Sequence, residues 1–169
     1  MPAECEFLRY FGRGPVESYE DKRHASRVGL FASTVTDHFV HYIRPQENMA
    51  HTDTRWITVA NASGQGLLAT NTATSPSFIF NCSHYTAEQL TATAHDFELT
   101  PIEDTVVHID YRQSGIGSNS CGARLDDCWR LNELSFDFAF RLQPVLVNDI
   151  CPFEKCVQEN VKEQKGEIL

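Results

Sequence analysis

Positive charge is scarce in this chain. There are 14 Lys and Arg against 23 Asp and Glu, for a net charge of −9. A nucleic-acid binder needs a basic face to meet phosphate, and an anionic membrane surface asks the same, so neither partner is expected. Long apolar runs are missing too; none approaches the ~20 residues that cross a bilayer. The opening Met1-Pro2-Ala3-Glu4-Cys5-Glu6 is acidic and lacks the apolar stretch of an export signal, which points to a cytoplasmic protein. The six cysteines, at 5, 82, 121, 128, 151 and 156, lack the two close pairs of a zinc site and read as reduced thiols. On that basis the sequons Asn61-Ala62-Ser63 and Asn81-Cys82-Ser83 are chance matches. Internal repeats and a dividing linker are absent as well. The 169 residues, 41% hydrophobic and 22% charged, fit one globular domain.

Period-two alternation is what the sequence does contain. It is clearest from Leu134 to Leu142, where Leu134, Phe136, Phe138, Phe140 and Leu142 share a face. In the stretch Thr105 to Arg112, Val107, Ile109 and Tyr111 share another. The pattern predicts that Phe136, Phe138, Phe140, Ile109 and Tyr111 meet in one core. Shorter strands are expected at Phe7–Phe11, His38–Ile43, Arg55–Ala60 and Ser77–Asn81. Helix signals are few. Thr86-Ala87-Glu88-Gln89 has the form of a capping box, opening a short helix through Leu90 to Ala94. Pro152 to about Gln164 is rich in Glu, Lys and Gln, as in a surface helix or a frayed end. Loops are expected at Asn61–Gly66, Asn71–Pro76 and Ser114–Gly122. The reading is all-β: an antiparallel β-sandwich with one or two short helices over residues 1–145, then a tail over 146–169.

The segment Tyr10-Phe11-Gly12-Arg13-Gly14-Pro15-Val16-Glu17-Ser18-Tyr19-Glu20-Asp21-Lys22-Arg23 has the form of a loop of fixed geometry. It is followed by Arg44-Pro45-Gln46-Glu47-Asn48, Thr52-Asp53-Thr54-Arg55-Trp56, Ser77-Phe78-Ile79-Phe80-Asn81 and a Gly115-x-Gly117 loop. In that order and spacing these segments resemble the C-terminal, small-chain domain of glycoside hydrolase family 2 β-galactosidases, from about Tyr10 to Pro144. The resemblance implies about half of a galactose-mutarotase-like supersandwich, packed beside a catalytic barrel that this chain does not contain. The structural motif it carries over is Gly12, Gly14, Pro15, Glu17, Tyr19, Asp21, Arg23, Pro45, Gln46, Glu47, Arg55, Trp56, Gly115 and Gly117. It implies no catalytic, cofactor or metal residue here, because the Mg and Na that the full enzymes often use are bound elsewhere. Two departures stand out. Met49-Ala50 replaces the family's Gly-Asn, which removes the residues suited to a tight turn. The loop Asn71 to Pro76 has no aromatic, where some bacterial relatives reach into the sugar site.

Residue chemistry points the same way. Retaining glycosidases hold two carboxylates about 5–5.5 Å apart, and Glu17/Glu20 and Asp126/Asp127 are near in sequence, but they read as loop charges partnering Arg13, Lys22 and Arg23. Glu47, Asp53 and Arg55 are expected to form an ion-pair network that pins the sandwich or supports a loop at the active site of the assembled enzyme. His38 and His41 would point to opposite faces of a strand and hold no metal together. His95 is expected to be structural. Gly12-x-Gly14 lacks the third glycine of a dinucleotide fingerprint; Ser114–Gly122 offers backbone donors like those of an anion nest, but is read first as a plain strand-to-strand connection. Cys121 or Cys128 would need a base such as His108 to act as a nucleophile.

The expected function is therefore a non-catalytic domain that helps shape a galactoside pocket, inactive alone. Its partner would be the remainder of the β-galactosidase, and a β-galactoside would bind only in the assembly. Self-association through an exposed edge is also expected. A stand-alone carbohydrate-binding module, stacking sugar on Trp56 or Trp129, is the alternative. A mutarotase-like isomerase has only fold kinship behind it.

Overall fold

A computed structural model describes residues 1–117, 122–149 and 151–166. Eight strands make two sheets: β1 (Phe7–Gly14), β2 (Arg27–Thr34), β3 (His51–Thr54), β4 (Trp56–Ala60), β5 (Gln65–Asn71), β6 (Phe78–Ser83), β7 (Val106–Asp110) and β8 (Phe140–Leu146). The five-stranded sheet runs β2-β1-β4-β5-β8 and the three-stranded sheet β3-β6-β7. Every paired strand is antiparallel. The helices are α1 (Ala87–Ala92) and α2 (Pro152–Gln164). The fold is thus an all-β sandwich.

The core lies between the sheets. Leu8 and Tyr10 of β1, Ile57 and Val59 of β4, and Ala69 of β5 meet Phe78, Phe80 and Cys82 of β6. Alternation puts Arg9 and Arg13 of β1 on the outer face with Phe7 and Phe11, while Leu8 and Tyr10 point inward. Burying each large apolar side chain contributes about 1.5–3 kcal/mol. A second cluster lies on the outer face of the five-stranded sheet. There Trp56 and Leu68 pack under Cys156 of α2, with Phe11 and Val145 beside them. With cover on both faces, β4 is buried along its whole length.

The chain changes sheets between β3 and β4. A register shift interrupts β3, and Asp53 there has φ 54°, a left-handed conformation that Asp tolerates better than most residues. Gly12 of β1 faces this corner, and a Cβ there would strike the Thr54 hydroxyl. The Tyr10–Arg23 segment is therefore strand as far as Gly14, and loop only beyond it.

Several expectations are corrected. The strand near Leu134–Leu142 begins at Phe140, because its partner β5 ends at Asn71, which pairs with Phe140. Residues 134–138 have no neighbouring backbone to pair with, and Leu134 is fully exposed. Phe138 and Ile109 nevertheless pack on the same core, and Phe136 stacks on Tyr111 with centroids 4.3 Å apart. His38–Ile43 forms no strand. The Asn48 side chain takes the place of a partner, its Oδ1 accepting from Val40 N and its Nδ2 donating to Val40 O, both at 3.0 Å. Met49 keeps the left-handed turn, at φ 54°, that Gly would favour. That geometry costs a non-glycine residue roughly 1–2 kcal/mol, and the Glu17 carboxylate offsets part of it by accepting from Met49 N at 3.2 Å. The α1 helix is capped by Thr86, whose hydroxyl accepts from Gln89 N. The Gln89 side chain does not reach back but donates to Thr100 O.

One side of the sandwich is open. A groove of about 480 Å³ runs between the sheets, lined by Ile57, Val59, Leu67, Ala69, Val107, Ile109, Phe140 and Leu142. Phe140 and Leu142 face the interior, yet remain 39% and 56% exposed.

Candidate functional site

The sequence motifs that stand far apart come together around one polar hollow. The segment after β1 is held first. Glu17 accepts from Lys22 Nζ at 2.5 Å, from the Tyr42 hydroxyl at 3.1 Å and from Met49 N. Burial pushes its carboxyl up, but these hydrogen bonds outweigh burial and hold it below the usual carboxylate range. Ser18 N donates to Ala50 O, and the Ser18 hydroxyl meets that of Thr52 at 2.7 Å. Tyr19 is half-buried with Lys22 Nζ over its ring, and burial raises its hydroxyl well above the ordinary phenol. Arg13 joins this segment to the corner: its Nε donates to Asp53 Oδ2 at 2.5 Å, and its Nη1 to the carbonyls of Arg23 and Ser26.

Asp21 carries the arrangement onward. Its two carboxylate oxygens accept from Ile116 N at 3.1 Å and Gly117 N at 2.8 Å. The backbone donors of the 114–122 connection are thus used over its described residues, and the anion they meet is the protein's own side chain. Gly115 is required there, because a Cβ would sit 2.6 Å from Asp21 Cγ. Gly115 N in turn donates to Trp129 O at 2.8 Å. Asp21, the 115–117 backbone and the Trp129 carbonyl are therefore linked in a hydrogen-bonded relay from the first motif to the backbone of an aromatic residue.

Trp129 stands on the wall of a hollow of about 460 Å³. Glu20, Arg23 and Asp53 form one side, residues 74–79 the floor, and Tyr111, Arg112, Cys128 and Asp137 the rest. Arg23 Nη1 lies 3.5 Å from Glu20 Oε2, while Arg23 Nε is buried with no partner among the described residues. Arg112 donates to Glu133 at 2.5 Å. An aromatic face among charged donors and acceptors suits a polyhydroxylated ligand.

Other expected residues fall elsewhere. Trp56, 2% exposed, is core beneath α2 and offers no sugar platform. Arg55 does not pair with Glu47; its Nη1 donates to Asp53 O and its guanidinium lies over the Phe11 ring. Pro45 is buried, and Gln46 and Glu47 are exposed. Gly14 and Pro15 close β1 with a cis peptide bond. Each of Glu17, Glu20 and Asp127 has a cationic partner. Cys128 is exposed, but His108 is engaged with Asn81 at 2.9 Å; Cys121 lies outside the described residues. His41 pairs with Asp96, and His95 caps a turn through Glu98. Asn81 is buried.

Sequence reasoning missed a buried histidine pair. The rings of His38 and His51 lie in tilted contact, centroids 4.6 Å apart, beside Tyr10 and Phe80. His51 Nδ1 donates to Arg13 O at 2.6 Å, and the Nε2 atoms of both rings have no partner among the described residues. Burial holds His38 down at about 3 and His51 at about 4.

Comparison with known proteins completes this description. Residues 1–142 match the model of the beta galactosidase small chain. The chain is 39% identical over 143 residues to a beta-galactosidase of Staphylococcus xylosus, covering 85% of this chain and 14% of the relative. It is 39% identical over 135 residues to one of Actinobacillus pleuropneumoniae, covering 80% and 13%. With one of Kluyveromyces lactis the identity is 35% over 138 residues, covering 81% and 13%. The chain thus spans about one-seventh of the length of these relatives, and the family match runs from the first strand into the start of β8, taking in the interlocked motif loops, the Asp21-held loop and the hollow, so the chain belongs to the beta galactosidase small chain family.

Proposed function

We propose that this chain is the non-catalytic C-terminal part of a glycoside hydrolase family 2 β-galactosidase, and that its polar hollow is the surface it lends to the galactoside pocket. The observation that carries this reading is the relay from Asp21 through Gly115 to Trp129. It ties the family's motif loops to the position of one aromatic ring, whose face can stack on a sugar while Arg23, Glu20 and Arg112 meet hydroxyls. The open apolar groove supports the other half of the proposal, because apolar surface of this kind marks a partner, here the remainder of the enzyme.

The test is reconstitution with the catalytic portion. Trp129→Ala is expected to raise KM for a chromogenic galactoside about tenfold, the effect of losing ~1.4 kcal/mol of binding, with little change in kcat. An unchanged KM sinks the sugar reading of the hollow. The isolated chain is expected to show no turnover, and activity abolished by removing one of its carboxylates would overturn the non-catalytic assignment.

Trp129 also supports a second reading, a module that binds sugar without the barrel. Galactose titration of the isolated chain separates the two. Saturable tryptophan quenching that is lost in Trp129→Ala favours the module, and a flat response favours the assembled pocket.

A further inference from the structure

The α2 helix lies wholly beyond the residues matched by the family. Its first turns bury Pro152 and Cys156, the latter against Trp56 and Leu68. A helix that merely covered this apolar surface would need little more. Its later turns do something different. Val157 and Val161 stay exposed, while Asn160 and Glu163 grip the connection between β5 and β6.

The grip is specific. Glu163 Oε2 accepts from Ala73 N at 2.8 Å and from Arg141 Nη2 at 2.5 Å. Asn160 Nδ2 donates to Asn71 Oδ1, and Asn160 Oδ1 accepts from Arg141 Nη1, both at 3.0 Å. Arg141 Nη1 also donates to Asn71 O at 3.1 Å. The Cys156 thiol adds a donor 3.0 Å from Asn71 Oδ1. The Ala73 N–H, and then Arg141, hold the Glu163 carboxyl below its ordinary range. From the other side, Asn71 Nδ2 donates to Pro76 O, and Ala139 N donates to the Ser75 hydroxyl. The connection caught between these contacts supplies Thr74, Ser75 and Pro76 to the hollow.

We infer that α2 is a strap that fixes the 72–76 connection, and with it the part of the hollow's lining at residues 74–76, with Glu163 and Asn160 as positioning residues. The strap stands on geometry alone; its effect on sugar rests on the reading of the hollow given above.

Hydrogen exchange in the full chain tests the strap. In Glu163→Ala the Ala73 amide is expected to exchange about tenfold faster, as when a charge-assisted hydrogen bond is lost. Glu163→Gln, which keeps an acceptor, is expected to recover most of the protection. Circular dichroism reports whether α2 stays folded. If it melts in Glu163→Ala, the comparison of Glu163→Gln with Asn160→Ala decides: protection kept in the first and lost in the second supports the strap. Ala73 exchange at the wild-type rate in Glu163→Ala, or equally fast in Glu163→Gln, overturns it. In the reconstituted enzyme, Glu163→Ala is expected to raise KM and leave kcat unchanged. An unmoved KM alongside faster Ala73 exchange would sink the sugar reading of the hollow while leaving the strap in place.

Discussion

The two ends of the interior obey the same alternation and end in different states. At the closed end, Leu8, Tyr10 and Phe80 are shut away between β1, β4 and β6. At the open end, Phe140 and Leu142 of β8 point the same way, toward Ile57 and Ala69, but the described residues leave them 39% and 56% exposed. Periodicity assigns a face. It does not say whether that face is covered by the same chain or by another.

The comparison breaks first at its closed end. Phe80→Ala is expected to destabilise the chain by about 3–5 kcal/mol, the range for emptying a tight core, as read by chemical denaturation. Leu142→Ala at the open end is expected to cost less than about 1 kcal/mol. Equal costs would mean that the groove closes in solution. The next largest effect is on pH dependence, which also belongs to the closed end. The unfolded chain titrates His38 and His51 near 6.5, whereas the folded chain does so at about 3 and about 4. Between those values the unfolded state binds more protons. Stability is therefore fully present above pH ~6.5 and is lost as pH falls toward 4 and then 3. His38→Phe is expected to flatten that profile; an unchanged slope would remove the pair as its source.

Asp21→Ala is expected to cost about 1–3 kcal/mol, because it leaves two loop N–H groups without their acceptor, and to shift the Trp129 fluorescence. Emission like that of the wild type would cut the relay from Asp21 to Trp129. The smallest expected change in stability comes from Leu142→Ser, again under about 1 kcal/mol. Its use lies in association: light scattering over a concentration series should show the wild type self-associating and the variant much less so. A wild type that stays monomeric throughout would mean that the groove is no docking face.

Much of the fold was legible where burial alternates along a strand, as in β1. The outer face of β5 is also covered, by α2, so Gln65–Asn71 shows no alternation and passes between two loop signals. β2 is an edge strand with Val28 and Leu30 exposed, and it gives little apolar signal. The error at His38–Ile43 has a physical cause: an Asn side chain satisfied the backbone that a strand partner would otherwise have taken. Within the site, the motif residues were visible as a pattern, but their partners were not. Asp53 pairs with Arg13 rather than standing with Glu47 and Arg55, and Asp21 meets the Gly115–Gly117 loop from the far side of the sequence. Contacts of that separation leave no local mark. Neither did the role of Trp129, whose position is set by a backbone bond to Gly115.

The placement of the thiols gives the molecule a built-in set of chemical reporters. Cys5, Cys82 and Cys156 are buried, and burial pushes each of these thiols up, so they resist alkylation while the sandwich is folded. Cys128 is exposed on the wall of the hollow, and Cys151 is exposed just ahead of α2. A maleimide pulse followed by peptide mapping would therefore read the hollow, the strap and the core from one sample. A ligand in the hollow would slow modification at position 128 alone, whereas modification at 82 would record the opening of the sandwich itself.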